Sequence, residues 1–79
     1  MKRNSVNSSN IKSIGYDPAT DTLEVEFNSG AVWQYEDVPV TEYNDLLTAP
    51  SIGSFFAKRI KSEFKAKRVD LEEKKEGES

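Results

Sequence analysis

The sequence predicts a small α+β domain in which a three-stranded antiparallel meander is followed by two helices packed on one face of the sheet. One stretch alternates without a break between apolar and polar residues, a glycine-containing turn follows it, and a later region carries apolar residues at helical spacing. At 79 residues there is room for one domain. We expect residues 10–69 to form it, after a flexible lead-in over 1–9 and before a disordered acidic tail over 70–79.

The first two strands are predicted from the arrangement of their apolar residues. Ile11–Asp17 is the first predicted strand, with Ile14 and Tyr16 on one face. Residues 17–21 form a turn, because a proline follows an aspartate that can bond forward to the backbone. Thr22–Phe27 then alternates without a break, which is typical of a strand buried on one face.

The turn at 28–30 decides which face the next aromatic residues join. A three-residue loop with its glycine in the left-handed conformation pairs Val25 with Trp33 and puts Tyr35 on the same side. A two-residue loop would shift the register by one and turn both aromatic residues to the face of Glu24. We favour the three-residue loop because it unites the apolar residues.

Two helices are predicted after the sheet. Thr41 is the expected N-cap of the first helix, and Pro50 ends it. Ser51 can cap the second helix, which we expect to run to about Lys67. Its buried stripe recurs every four residues and consists of Ile52, Phe56, Ile60 and Phe64.

The composition argues against catalysis. The chain has no cysteine and no histidine, so it lacks thiolate nucleophiles, the usual general base at neutral pH and the commonest transition-metal ligand. Glu24 and Glu26 are expected on a solvated sheet face, where nothing would raise a carboxyl pKa. We therefore expect a binding protein and not an enzyme, with no catalytic residue, no metal ligand and no cofactor.

The hydropathy of the chain predicts a soluble, cytoplasmic protein. No apolar run is long enough to cross a membrane. The N-terminal residues begin basic, but polar residues follow where a signal peptide needs an apolar stretch. We expect no membrane partner.

The net charge of −3 conceals a strong segregation of charge. Every charged residue from 17 to 45 is acidic, whereas six basic residues between 58 and 68 face only Glu63. Four of the basic residues follow three- and four-residue spacing and would share one face of the predicted second helix: Lys58, Lys61, Lys65 and Arg68. Such a stripe either neutralises the phosphates of a nucleic acid or is an ordinary solvated face. The acidic tail either keeps the protein soluble or competes with phosphate for the stripe.

The aromatic residues of the sheet also allow two interpretations. Trp33 and Tyr35 either belong to the core or stack on bases, as aromatic residues do in several RNA-binding sheets. The favoured register supports the core interpretation. If the ligand is a nucleic acid, we expect Tyr16 and Tyr35 to add stacking and Lys12 to assist in phosphate contact.

Several segments together resemble the KTSC domain, a module named for the C-terminus of some lysyl-tRNA synthetases. The likeness covers roughly residues 6–69. The matching stretches are Ser8-Ser9-Asn10-Ile11, Ile14-Gly15-Tyr16-Asp17, Leu23-Glu24-Val25-Glu26-Phe27 with Gly30, Tyr35-Glu36-Asp37-Val38-Pro39, Tyr43, and Ala49 through Ser51-Ile52-Gly53 to Phe56 and Ile60. The family's Tyr-x-Tyr appears here as Trp33-Gln34-Tyr35, which departs at its first position.

The resemblance implies a small module, found also as stand-alone bacterial and phage proteins, for which RNA binding has been suggested from its association with a synthetase. We therefore predict a module that binds RNA or another nucleic acid through Lys12, Tyr16, Tyr35, Lys58, Lys61, Lys65 and Arg68. The alternative is a protein-interaction or adaptor module of phage or bacterial origin, which could form homo-oligomers.

Overall fold

A computed structural model describes residues 3–70, which form a five-stranded antiparallel sheet and two helices. The strands are β1 (Arg3–Ser5), β2 (Ile11–Asp17), β3 (Thr22–Phe27), β4 (Val32–Tyr35) and β5 (Ala66–Arg68). The helices are α1 (Val40–Thr48) and α2 (Ile52–Phe55), and α2 continues into a π-helical turn over Phe56–Ile60. Residues 1–2 and 71–79, with most of the predicted acidic tail, lie outside the described residues.

The predicted α+β class is confirmed, but the predicted count of three strands is wrong. The strands lie in the order β1-β2-β3-β4-β5, so two additional strands form the edges of the meander. β1 lies within the expected flexible lead-in and pairs Asn4 with Ile14. β5 lies within the expected second helix and pairs Lys67 with Gln34. Both strands are three residues long, so they lack the alternating pattern that predicted the central strands.

The central strands have the predicted bounds, and β2 contains a bulge. Ile11 pairs with Phe27, and Ser13 pairs with Glu26, so Lys12 is the extra residue. Ile11 and Ile14 consequently both enter the core although they are three positions apart. Ser13 is directed to the opposite face, where its hydroxyl donates to Glu26 Oε1 at 2.8 Å.

The predicted three-residue hairpin loop is confirmed. The amide of Phe27 donates to the carbonyl of Ala31 at 2.9 Å, and Gly30 has a φ of 97°, which glycine adopts without a steric penalty. Val25 pairs with Trp33 and Leu23 pairs with Tyr35, as the favoured register requires. Leu23, Val25 and Tyr35 are buried, whereas Trp33 and Phe27 are half-buried at the border of the core.

The predicted length of the second helix is wrong. Helical structure ends at Ile60, and the amide of Lys61 closes the π turn by donating to the carbonyl of Phe56 at 2.8 Å. The chain then turns and becomes extended at Ala66, because β4 offers an edge whose backbone groups can be paired. Phe56 and Ile60 are buried as predicted, while Ile52 and Phe64 are only partly buried.

The helices cover one face of the sheet and complete the core. Ser51 caps α2 as predicted, accepting a hydrogen bond from the amide of Ser54 at 3.4 Å. Thr41 is not the N-cap of α1, because the helix begins at Val40 with Pro39 as its N-cap, two residues earlier than predicted. The core combines strand and helix residues: Ile11, Ile14, Leu23, Val25, Tyr35, Val38, Leu46, Phe56 and Ile60. Neither helix within residues 3–70 has the length and apolar content that a membrane crossing requires.

Candidate nucleic-acid interface

A cleft of about 310 Å³ opens where the end of the helical layer meets β3, β4 and β5. Its lining residues are Phe27, Trp33, Tyr35, Lys61 and Ala66, and we call it the aromatic cleft. The three rings come from one sheet face because of the hairpin register, and Ala66 lies opposite Tyr35 in β5. Lys61 reaches the cleft from the end of the π turn.

The rings of the aromatic cleft differ in how firmly the core holds them. Phe27 and Tyr35 each pack edge to face against Phe56, with ring centroids 5.5 and 5.2 Å apart. Tyr35 is only 4% exposed, and this burial raises the pKa of its phenol above the usual value. Trp33 forms no aromatic pair with any residue between 3 and 70. Phe27 and Trp33 are both half-buried, and of the two the indole is the ring without an aromatic partner among residues 3–70.

A second cleft, of about 400 Å³, adjoins the aromatic cleft and shares Phe27 and Lys61 with it. We call it the polar cleft. Its remaining lining residues are Ser9, Asn10, Ile11, Asn28, Ser29, Gly53, Phe56 and Ala57. Lys61 thus stands between an apolar recess and a polar one.

The arginines near these clefts form ion pairs, whereas two of the lysines form none within residues 3–70. Arg59 binds Glu42 at 3.3 Å and also lies over the ring of Phe55. Arg68 binds Asp70 at 2.8 Å. Lys58 and Lys61 are exposed, are three residues apart on the helical segment and have no ion-pair partner among residues 3–70. We call these two residues the lysine pair.

The predicted single basic helix face does not exist, because the helix ends before two of its four members. Lys65 lies in the loop that precedes β5, and its carbonyl accepts a hydrogen bond from the amide of Glu36. Arg68 lies in β5 opposite Trp33. Only the lysine pair keeps the predicted helical relationship.

Asp70 explains why Arg68 is not free to bind a phosphate. The expected start of the disordered tail is instead a buried residue, 6% exposed, whose carboxylate accepts bonds from Arg68 and from the amide of Val32 at 3.0 Å. The hydrogen bond from Arg68 is the largest influence that lowers the pKa of Asp70 to about 2, and the bond from Val32 adds to it. Asp70 thereby fastens the end of β5 to the start of β4.

Two further predicted site residues lie away from the clefts. Lys12 lines a separate recess on the opposite sheet face, together with Arg3, Ser13 and Glu26. Tyr16 stands five residues beyond Ile11 along β2, roughly 16 Å away at the rise of an extended strand. The Tyr16 ring stacks on Tyr43 with centroids 4.8 Å apart, and its hydroxyl donates to the carbonyl of Val38.

Burial and the neighbouring Asp21 carboxylate raise the pKa of Tyr16, which keeps the phenol protonated. Its ring and hydroxyl are both held by internal contacts. Of the seven predicted site residues, Tyr35 and Lys61 line the aromatic cleft, and Lys58 lies three residues before Lys61. Lys65 and Arg68 lie beside the Ala66 and Trp33 walls of the cleft but not on the predicted helix, whereas Lys12 and Tyr16 lie elsewhere.

The expectation that Glu24 is solvated is wrong, because β1 brings an arginine over it. Glu24 is 5% exposed and forms an ion pair with Arg3. Gln34 donates to Glu24 Oε1 at 2.8 Å, and Arg3 Nε donates to the Ser13 hydroxyl at 3.1 Å. With Glu26 these residues form a polar network on the sheet face opposite the helices. No group of three potential metal-ligating side chains occurs within residues 3–70.

The sequence analysis assigned Phe27 to the core alone, and it considered Trp33 for base stacking but left it out of the predicted site because the register favoured the core. Both rings are on the core face, yet both also line the aromatic cleft. The available signal was their position towards the turn end of the hairpin, where the apolar face of a short sheet reaches its border.

Comparison with known proteins gives one consistent family. The family model described as the KTSC domain matches residues 7–64. A protein of Stutzerimonas stutzeri (strain A1501) is 44% identical over 71 residues, which are 89% of this chain and 100% of that relative. A solved KTSC domain protein from Yersinia pestis superposes with a TM-score of 0.84 at 38% identity, covering 86% of this chain and 96% of that chain.

A segment of a larger protein is also similar. A lysine–tRNA ligase of Nostoc sp. (strain PCC 7120) is 44% identical over 59 residues. These residues are 75% of this chain but only 10% of the ligase. The chain therefore spans a tenth of that relative.

Proposed function

The chain belongs to the KTSC domain family, and from this premise we propose that it is a non-enzymatic module that binds RNA, or another nucleic acid, beside Lys61. The lysine pair attracts the phosphate backbone, and the aromatic cleft provides apolar surface next to it. Localisation in the cytoplasm, where such a ligand is found, is part of this proposal.

The observation that carries the proposal is the position of Lys61 on the rim of both clefts. Proteins that bind single-stranded nucleic acids combine cationic side chains along the backbone with aromatic rings that contact bases. Lys58 adds a second charge three residues earlier. No acidic side chain within residues 3–70 forms an ion pair with either lysine, so phosphate would not have to displace one.

Two further observations support RNA as the polymer. A net charge of −3 would repel a nucleic acid if acidic and basic residues alternated along the chain. Here the acidic residues from 17 to 45 are separated in sequence from the basic residues between 58 and 68. In addition, the Nostoc relative that carries a similar segment is by name a ligase of lysine and tRNA. That name supports RNA before DNA, although the segment is a small part of the relative.

Binding to labelled random pools of single-stranded RNA and DNA, measured by fluorescence anisotropy at two salt concentrations, tests the proposal. The parent protein should bind, with an affinity that falls as salt rises because bound cations are released from the polymer. The variant K58E/K61E should lose binding. The matched control K12E/K67E makes the same change in net charge on the opposite sheet face and should retain most of it.

Equal binding by the parent and K58E/K61E, or a flat response to salt, would contradict the proposal. Loss of binding in both double variants would indicate that overall charge, and not this surface, attracts the ligand. Circular dichroism of all three proteins shows whether each variant is folded.

A protein-interaction module is the second candidate, and the exposed side of α1 favours it. Val40 and Leu47 are 48% and 40% exposed, and seven residues apart they share one side of the helix. Acidic residues accompany them on the same helix, so a partner with apolar and basic side chains would fit. If neither nucleic-acid pool binds, this candidate replaces the first.

A further inference from the structure

We propose that the aromatic cleft holds one unstacked nucleobase of a single strand, with the base against Trp33 and the adjoining phosphate at Lys61. The inference rests on the proposed function and adds to it a defined base-binding site. It requires a single strand, because a base must leave its stack to enter a recess.

The cleft has the size and walls that a flat ring requires. Its volume of about 310 Å³ lies at the small end of the range of about 300–1,000 Å³ found for ligand pockets. Three of its five lining residues are aromatic, and Ala66 adds a small side chain from the edge strand. Such walls can contact the faces of any base without selecting its hydrogen-bonding edge.

The packing of the rings favours Trp33 as the platform. Phe27 and Tyr35 are both engaged edge to face with Phe56, which fixes the back of the cleft. Trp33 lacks such an internal partner among residues 3–70 and keeps part of its indole exposed. A stacked base would supply the contact that the protein itself does not provide.

The charges around the cleft are complementary to a nucleotide. Lys61 is at the rim, where the phosphate attached to a buried base would emerge. Arg68 lies opposite Trp33 in the sheet, but its guanidinium is bound to Asp70. Lys61 is the cation that lines the cleft, and it has no ion-pair partner within residues 3–70. The base would face an apolar wall.

Trp33 is the one tryptophan of the chain, so its fluorescence reports on the site directly. The parent protein is titrated with an eight-nucleotide oligouridine and with an abasic ribose-phosphate oligomer of the same length. We expect the oligouridine to quench the emission in a saturable manner and to bind about tenfold more tightly than the abasic oligomer. The abasic oligomer should bind weakly and leave the emission unchanged.

A cleft-filling variant provides an independent test that spares the core. Ala66 is exposed, so A66F can fill the cleft without removing a buried group. It should weaken oligouridine binding about tenfold and leave binding of the abasic oligomer unchanged. K61E should weaken both ligands, because it removes the phosphate contact common to them.

The outcomes separate the two proposals. Tight binding of both oligomers without quenching, or full oligouridine binding by A66F, would overturn the base site and leave the proposed function standing. Failure of both oligomers to bind would overturn both proposals. Quenching by an apolar basic peptide but by neither oligomer would assign the cleft to a protein partner.

Discussion

Two regions of the molecule, the polar network around Glu24 and the lysine pair, differ in how their charges are partnered. On the face opposite the helices, Arg3, Glu24 and Glu26 are joined to Ser13 and Gln34 in one polar network. At the seam between the helices and the sheet, the lysine pair has no ion-pair partner within residues 3–70. Charged side chains that form ion pairs with one another stabilise the fold, whereas charged side chains that contact only solvent are available to a ligand. The number of charges in a region is therefore a poor guide to a binding site.

The largest effect on stability should come from breaking the polar network. The variant R3M leaves the Glu24 carboxylate buried without its cation, and removal of one partner of a buried pair typically costs about 3–5 kcal/mol. We expect a loss near the lower figure, since Arg3 is partly exposed and Gln34 still donates to Glu24. Urea unfolding measures it.

The double variant R3M/E24Q serves as the control, because it removes both charges together. It should recover a substantial part of the lost stability. Equal stability of R3M and the parent protein would show that β1 does not cover Glu24 in solution.

The ion pair of Asp70 should contribute a smaller effect that depends on pH. Because the pKa of Asp70 is lowered to about 2 in the folded protein, its contribution is present above its unfolded value of about 3.9. That contribution is lost as the pH falls from about 4 towards 2. D70N should therefore be less stable than the parent protein at pH 6, and the difference should shrink across this range.

Thermal unfolding of both proteins at a series of pH values tests this prediction. Since Asp70 binds the amide of Val32 as well as Arg68, R68Q should lose less stability than D70N at pH 6. A difference between parent and D70N that stays constant down to pH 2 would contradict the depressed pKa.

The hydroxyl of Tyr16 should contribute about 1 kcal/mol to stability and nothing to nucleic-acid binding. Y16F removes its bond to the Val38 carbonyl but preserves the stacking on Tyr43. Chemical unfolding measures the first quantity, and anisotropy with the RNA pool measures the second. Weaker RNA binding by a fully folded Y16F would show that the Tyr16 hydroxyl contributes to nucleic-acid binding, contrary to this prediction.

The smallest change in stability should come from the lysine pair. K58E/K61E alters two exposed side chains without an ion pair in the described part of the chain, so its free energy of unfolding should stay within about 0.5 kcal/mol of the parent. For a single strand, each lost phosphate contact should reduce the slope of log affinity against log salt by about 0.7. If K58E/K61E and R3M lowered the free energy of unfolding by the same amount, the polar network and the lysine pair would not differ in their contribution to stability, and the prediction would be wrong.

The candidate site could be predicted from the sequence only in part. Tyr35 and Lys61 were identified from residue type and spacing, and the structure brings both to the aromatic cleft. Lys65 and Arg68 were added on the assumption that the helix continues, which the pairing of β5 with β4 prevents. Phe27 was assigned to the core, and Trp33 was left open between core and ligand contact, with the core favoured. Their position as cleft walls depends on where the helical layer ends.

Local pattern determined the centre of the molecule. The pattern of apolar residues predicted the bounds of β2 and β3, and the three-residue turn with Gly30 predicted the register of β4, because period, turn length and backbone conformation are properties of adjacent residues. Only the tertiary structure decided the edges. β1 and β5 are short segments that become strands by pairing with distant backbone groups, and the burial of Glu24 and Asp70 follows from that pairing. Such hydrogen bonds join residues far apart in the chain, so no local period records them.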